Sequence, residues 1–132
     1  MSVESTRAVL SRYIDSGHTD LSMMAEDVAF TNMASGDESR GPDAVREMLQ
    51  YIYHIAFDAS AETKNLIVSD GKAVYEADFV GRHIAEFAGI RATNKQVRVP
   101  LCVVYDLAGE KIKNARIYFE VPALLKQLNE GS

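Results

Sequence analysis

The stretch Ala73-Val74-Tyr75-Glu76-Ala77-Asp78-Phe79-Val80-Gly81-Arg82-His83 changes character at nearly every step. Successive side chains of a strand point to opposite faces. One face therefore carries Ala73, Tyr75, Ala77, Phe79, Gly81 and His83, and the other carries Val74, Glu76, Asp78, Val80 and Arg82. The charges mark the second face as the outer one, so the first must be covered by something else. The small residues Ala77 and Gly81 are expected to leave room beneath that cover. A connection, Ile84 to Lys95, then leads to a second alternating stretch, Gln96 to Leu107.

Working outward, Ala61 to Ser69 and Lys111 to Phe119 show the same period of two, with Asp70-Gly71 and Ala108-Gly109 as hairpin turns. Ala115, Ile117 and Phe119 fall on the inner face of the last strand. In the strand before it, Val97, Val99, Leu101, Val103 and Tyr105 are assigned inward, because the alternate set includes Arg98 and Asp106.

The first half of the chain reads differently. Val3 to Ser16 forms a helix with Ala8, Val9, Leu10, Tyr13 and Ile14 as its apolar stripe and Gly17 as its stop. Leu21 to Ala25 is expected to add a helical turn capped by Thr19 or Asp20. Val28 to Met33 reads as a short strand in which Phe30 buries, and Ser35 to Gly41 as a polar loop. Pro42 opens a second helix, with Val45, Leu49, Ile52 and Ile55 or Ala56 on one face and Glu47, Gln50, Tyr51 and His54 on the other. The run Leu124-Leu125-Lys126-Gln127-Leu128 closes the chain, and Asn129 to Ser132 is expected to fray. The resulting class is α+β: a curved antiparallel sheet packed against helices, forming a cone-shaped pocket.

Composition bounds the function. A chain of 132 residues with 47 % apolar and 25 % charged side chains has the balance of one ordinary globular domain. The net charge of -5 argues against a nucleic-acid binder, which needs a basic face. A single cysteine, Cys102, excludes an internal disulfide, and the first residues lack the basic start and apolar run of a signal peptide. The expectation is a cytoplasmic protein without membrane association. No phosphate-binding glycine loop, dinucleotide fingerprint or metal-ligand spacing is present, so no cofactor and no metal are expected. The pairs Ser11–His18 and Ser60–His54 lack a nucleophile turn and an orienting acid. The polar groups expected in the pocket are Asn32, His83, Tyr75 and Tyr13, with Phe79 among the apolar walls. His83 reads equally as a ligand-facing group and as a strand-end side chain bonded to backbone.

Gly81-Arg82-His83, Phe87-Ala88-Gly89-Ile90 with Thr93, Gly109-Glu110-Lys111-Ile112 and Leu125-Lys126-Gln127-Leu128 together resemble the SnoaL-like polyketide cyclases. Those belong to the nuclear-transport-factor-2-like, or cystatin-like, superfamily. The resemblance implies a homodimer, a pocket for a small hydrophobic ligand, and an aldol ring closure by a carboxylate. Aligned without gaps, the cyclase aspartate falls on Ile117, and its polar Gln and His partners fall on Leu101 and Val103. An isoleucine takes no proton, so the chemistry cannot run from that position.

Glu120 is the nearest replacement carboxylate, and His83 the second candidate base. The bland reading makes Glu120 a helix-start carboxylate ahead of Pro122. Tyr13 resembles the oxyanion-stabilising tyrosine of the related ketosteroid isomerases, but their two acids would fall near Asn32 and Cys102. Three readings stay open: a cyclase- or isomerase-type enzyme acting by proton transfer, a non-catalytic carrier or sensor, and a dimerisation module using an outer face with Val74, Val80 and Val104.

Overall fold

Helix α1 (Val3–Asp15) begins at Ser2, whose hydroxyl accepts the Ser5 N–H at 3.0 Å while the Ser5 hydroxyl accepts the Ser2 N–H at 2.9 Å. The pair satisfies two donors that the first turn leaves open. The computed structural model describes residues 2–129; of the stretch Asn129 to Ser132 expected to fray, Asn129 instead ends a helix and the rest lies outside the described residues. Thr6 ties α1 to the sheet by accepting the Gly71 N–H at 2.9 Å. Gly17 and His18 end the helix with φ of 70° and 65°. Glycine adopts such angles freely, whereas His18 does so at a cost of roughly 1–2 kcal/mol.

The next segment departs from the expected helical turn. Leu21, Met23 and Met24 are buried, but Met24 already belongs to strand β1 (Met24–Asn32). Parallel pairing with the last strand decides this, with Met24 opposite Ile112 and the Ile112 N–H donating to the Met23 carbonyl at 2.8 Å. A short apolar run does not itself distinguish strand from helix, and here a distant partner selects the strand. The polar loop also contains a short strand, β2 (Glu38–Arg40), antiparallel to β1.

Helix α2 (Pro42–Gln50) buries Val45 and Leu49. It runs into a π-helical turn, Tyr51–Ile55, where the expectation was uninterrupted α-helix. The wider turn carries the Ala56 N–H to the Tyr51 carbonyl at 2.7 Å. It turns Tyr53 inward, leaves Ile55 exposed and buries Ala56, the second of the two expected alternatives. Such turns recur at functional sites.

Strands β3 (Phe57–Ser69), β4 (Lys72–His83), β5 (Gln96–Ala108) and β6 (Lys111–Phe119) then run antiparallel. β3 starts at Phe57 rather than Ala61, because its first residues pair with the end of β4, Phe57 opposite His83. Helix α3 (Val121–Asn129) buries Leu124 and Leu128. Among the described residues the sheet has six strands in the order β2-β1-β6-β5-β4-β3, curved and unclosed. The core lies between its inner face and the helices, as the alternation of β4 and β5 requires.

Two face assignments in β4 need correction in detail. Gly81 leaves no room for a ligand, since a Cβ there would meet Ala59 Cβ at 2.4 Å and the Asp58 carbonyl at 2.6 Å. It is the point where β3 backbone lies against β4. On the outer face, Asp78 is 95 % covered, being only 5 % exposed, and is held by Lys64 and Arg98, each at 3.0 Å. Those partners, Lys64 first, keep its carboxyl below the usual carboxylate range.

Candidate functional site

A hollow of about 80 Å³ lies between the curved sheet and the helices. The sheet supplies Phe30, Tyr75, Phe79, Tyr105, Leu101, Val103, Ile117 and Phe119 to its wall. The helical side supplies Tyr13 from α1, Met48 and Leu49 from α2, and Ile52 and Tyr53 from the π turn, with His18 beside them. These positions are inward for one reason on each element: period two on the strands, and the buried stripe on the helices.

Tyr13 is the wall's most unusual group. It is fully buried, and its Oη has no hydrogen-bond partner. A hydroxyl in that condition forgoes roughly 1–3 kcal/mol of hydrogen bonding unless a ligand supplies an acceptor. Burial, with Tyr53 and Tyr75 alongside, holds its pKa well above the ordinary phenol value. The His18 ring meets the Tyr13 ring edge-on at 5.0 Å and stacks on Tyr53 at 5.4 Å. Burial lowers the His18 pKa to about 4, so the imidazole is neutral near pH 7. Burial also raises Tyr53, Tyr75 and Tyr105, although for Tyr75 a bond to Thr63 at 3.0 Å partly offsets this. The site therefore combines an apolar aromatic wall with neutral phenols and one neutral imidazole. Among the described residues no carboxylate lines it.

Of the residues singled out in the sequence, Tyr13, Tyr75, Phe79, Leu101, Val103 and Ile117 line the hollow. Asn32, His83 and Glu120 do not. The Asn32 side chain accepts the Ala34 N–H at 2.9 Å and so fixes the turn after β1. Glu120 is exposed, beside Tyr118 on the far side of the strand end, and its carbonyl accepts the Leu124 N–H at 3.2 Å as α3 begins. Strict alternation after Ile117 and Phe119 turns it outward, with no bulge to bring it back.

His83 is fully buried but packs against Phe57 at 5.0 Å, beyond the hollow. Its Nδ1 accepts the Thr93 N–H at 3.1 Å and lies 3.0 Å from the Thr93 hydroxyl. An Nδ1 that accepts from backbone carries no proton, which places the proton on Nε2, a buried atom without a partner. Burial lowers the His83 pKa, and the Ala85 backbone only partly restores it. The arrangement pins the Ile84–Lys95 connection to the end of β4.

His18, Tyr53 and Tyr105 are the polar site residues that sequence reasoning passed over. Tyr105 stood in the inward set of β5 without being assigned to the pocket. His18 follows a helix-stop glycine, where the chain folds back over the last helical turn, and that position was the available signal. Nothing local marks Tyr53, because its direction depends on the π turn.

Among the described residues no group of three or more His, Cys, Asp or Glu comes together in a form that could hold a metal ion. No helix among them is long and apolar enough to cross a membrane.

Residues 9–128 match the family model for the SnoaL-like polyketide cyclases. The chain belongs to that family. Solved structures share the fold at low identity. A candidate SnoaL-like polyketide cyclase from Jannaschia sp. CCS1 is 15 % identical, with 98 % of this chain and 94 % of that one covered and a TM-score of 0.86. A candidate polyketide cyclase from Silicibacter sp. TM1040 is 20 % identical over 96 % and 97 %, with a TM-score of 0.83. A protein of ketosteroid-isomerase-like fold from Catenulispora acidiphila, in complex with trimethylamine, is 14 % identical over 92 % of each chain, with a TM-score of 0.74. No curated protein matches the sequence. These likenesses carry the fold. The chain's own residues must carry any argument about chemistry.

Proposed function

We propose that this SnoaL-like protein binds a small, mainly apolar carbonyl compound in the aromatic hollow and moves a proton next to that carbonyl. The buried Tyr13 Oη without a partner carries this reading, because it offers a ready donor where a carbonyl oxygen would sit. His18, neutral and in contact with the Tyr13 ring, is the base. The C–H bond adjacent to the carbonyl breaks and its electron pair moves into an enolate. The Tyr13 hydroxyl holds the enolate oxygen, and the proton rests on the imidazole until it is returned. A histidine held near pKa 4 is a weak base, which restricts the substrate to acidic C–H groups such as a methylene between two carbonyls.

Glu120 and His83, the bases expected from sequence, give way to His18 because neither reaches the hollow. The test is deuterium uptake from heavy water at the central carbon of acetylacetone, followed by NMR. Acceleration by the protein and its loss in His18→Ala support proton transfer; equal uptake with and without protein removes it.

The absence of any wall carboxylate favours a second reading, carriage without chemistry. Binding of acetylacetone with no acceleration of exchange selects it. We also read the chain as a homodimer through the outer sheet face, where Ile67 and Tyr118 are exposed and Val74, Val80 and Val104 are half-covered. A monomer in sedimentation at micromolar concentration would remove that part.

A further inference from the structure

A second hollow of about 120 Å³ adjoins the first, and His18, Leu49 and Tyr53 belong to the walls of both. The partition is therefore a histidine stacked on a tyrosine. The two spaces differ in character. The inner one is aromatic and aliphatic, whereas the outer one carries Arg46, Gln50 and His54. These stand four residues apart along α2 and the π turn, and so share one helix face. Among the described residues no aspartate or glutamate lines the outer hollow. The Gln50 and His54 side chains make no hydrogen bond among the described residues, and both are exposed. Arg46 has a single ionic partner, Asp43 at 2.9 Å, whose side chain is 97 % exposed. So open a pair is readily exchanged for another anion.

From this juxtaposition we infer that the two hollows form one bipartite site for a small organic acid, its apolar body in the inner space and its carboxylate against Arg46 and Gln50. The inference rests on the inner hollow being a ligand site, and it adds the substrate class. His18 then has a positional role as well, since a ligand spanning both spaces must pass it. Its ring is held by contacts alone, edge-on to Tyr13 and flat on Tyr53, with no side-chain hydrogen bond to break. The inner space of about 80 Å³ is smaller than an apolar cavity of about 150 Å³ that accepts benzene, so a one-ring body fills it and extends past His18 into the outer space. On the chain either side of Gly17 and His18, Arg12 and Asp20 pair with each other at 3.3 Å.

Calorimetric titration with phenylacetate and with phenylacetamide tests this, because the two share a body and differ in charge. The expected result is phenylacetate bound about fivefold to tenfold tighter than the amide by the unaltered protein. That preference should vanish in Arg46→Gln, persist in part in Arg46→Lys, and grow in Asp43→Asn, where Arg46 loses its competitor. Equal binding of acid and amide would overturn the acid-binding inference while leaving the inner hollow intact as a ligand site. A preference that survives Arg46→Gln would overturn it too. Failure of both compounds to bind would remove the inner-hollow reading and this inference with it.

Discussion

The imidazole of His18 lies flat on the phenol ring of Tyr53, with centroids 5.4 Å apart and planes 10° from parallel. One residue comes from a left-handed helix end and the other from a π-helical turn, both uncommon backbone states. Two irregularities thus meet at one contact on the wall of the hollow, which is where strained backbone is expected to serve function.

Acid should weaken the fold through this contact. Burial lowers the His18 pKa to about 4 from 6.5, so the unfolded chain binds more protons between those values. The stabilisation is complete above about pH 6.5 and is lost as pH falls toward 4, by up to about 3 kcal/mol. Urea denaturation at pH 7.5 and 4.5 should show a clearly smaller loss in His18→Phe than in the unaltered protein. Some loss should remain, because burial lowers His83 in the same direction. An unchanged loss would show that His18 is solvated.

Tyr13→Phe should separate stability from binding. The hydroxyl has no partner to lose, so the variant should be as stable as the parent or more so by up to about 1 kcal/mol. Affinity for a carbonyl compound should fall about tenfold, as expected for one lost hydrogen bond. Thermal melts and titration with cyclohexanone check the two halves. A large loss of stability would mean that the hydroxyl is satisfied.

Gly81→Ala should destabilise by roughly 1–3 kcal/mol, the range for overpacking a core. Its new methyl would lie 2.4 Å from Ala59 Cβ and 2.6 Å from Ala59 Cα. Ala59→Gly should therefore restore only part of the loss, since the backbone contact persists. Denaturant midpoints of the single and double variants measure this.

How much of this was legible in the chain depends on where each residue's partners lie. β4 and β5 alternate because one face is covered and the other carries charge, so their period and inner residues stand in the sequence itself. Tyr75, Phe79, Leu101 and Val103 follow directly, and Ile117 follows from the same period in β6. β1 begins earlier than expected because β6, nearly ninety residues away, pairs with Met24. The π turn that aims Tyr53 leaves no periodic mark over five residues. Glu120 and His83 were attractive as titratable groups near a pocket, but one faces solvent and the other is tied to Thr93. The resemblance leads to the expectation that Ile117 stands where the cyclases carry their aspartate; what the structure shows is Ile117 on the wall of the hollow.

Placing a carboxylate at residue 117 gives a prediction of opposite sign. Ile117→Asp would place an acid among Phe30, Tyr105 and Phe119, where desolvation raises its pKa above the unfolded value. The variant should be less stable than the parent at pH 7.5, and the deficit should shrink as pH falls and the acid is protonated. Denaturation at several pH values checks this, and a deficit that does not change with pH would place residue 117 in contact with water.

The infrared carbonyl stretch of bound cyclohexanone tests the role of Tyr13 most directly. A hydrogen bond from the buried Tyr13 hydroxyl should shift the band to lower frequency than in an apolar solvent, and Tyr13→Phe should abolish that shift. A bound ketone whose band is the same in both proteins would contradict the assignment of Tyr13 as the donor that holds the ligand.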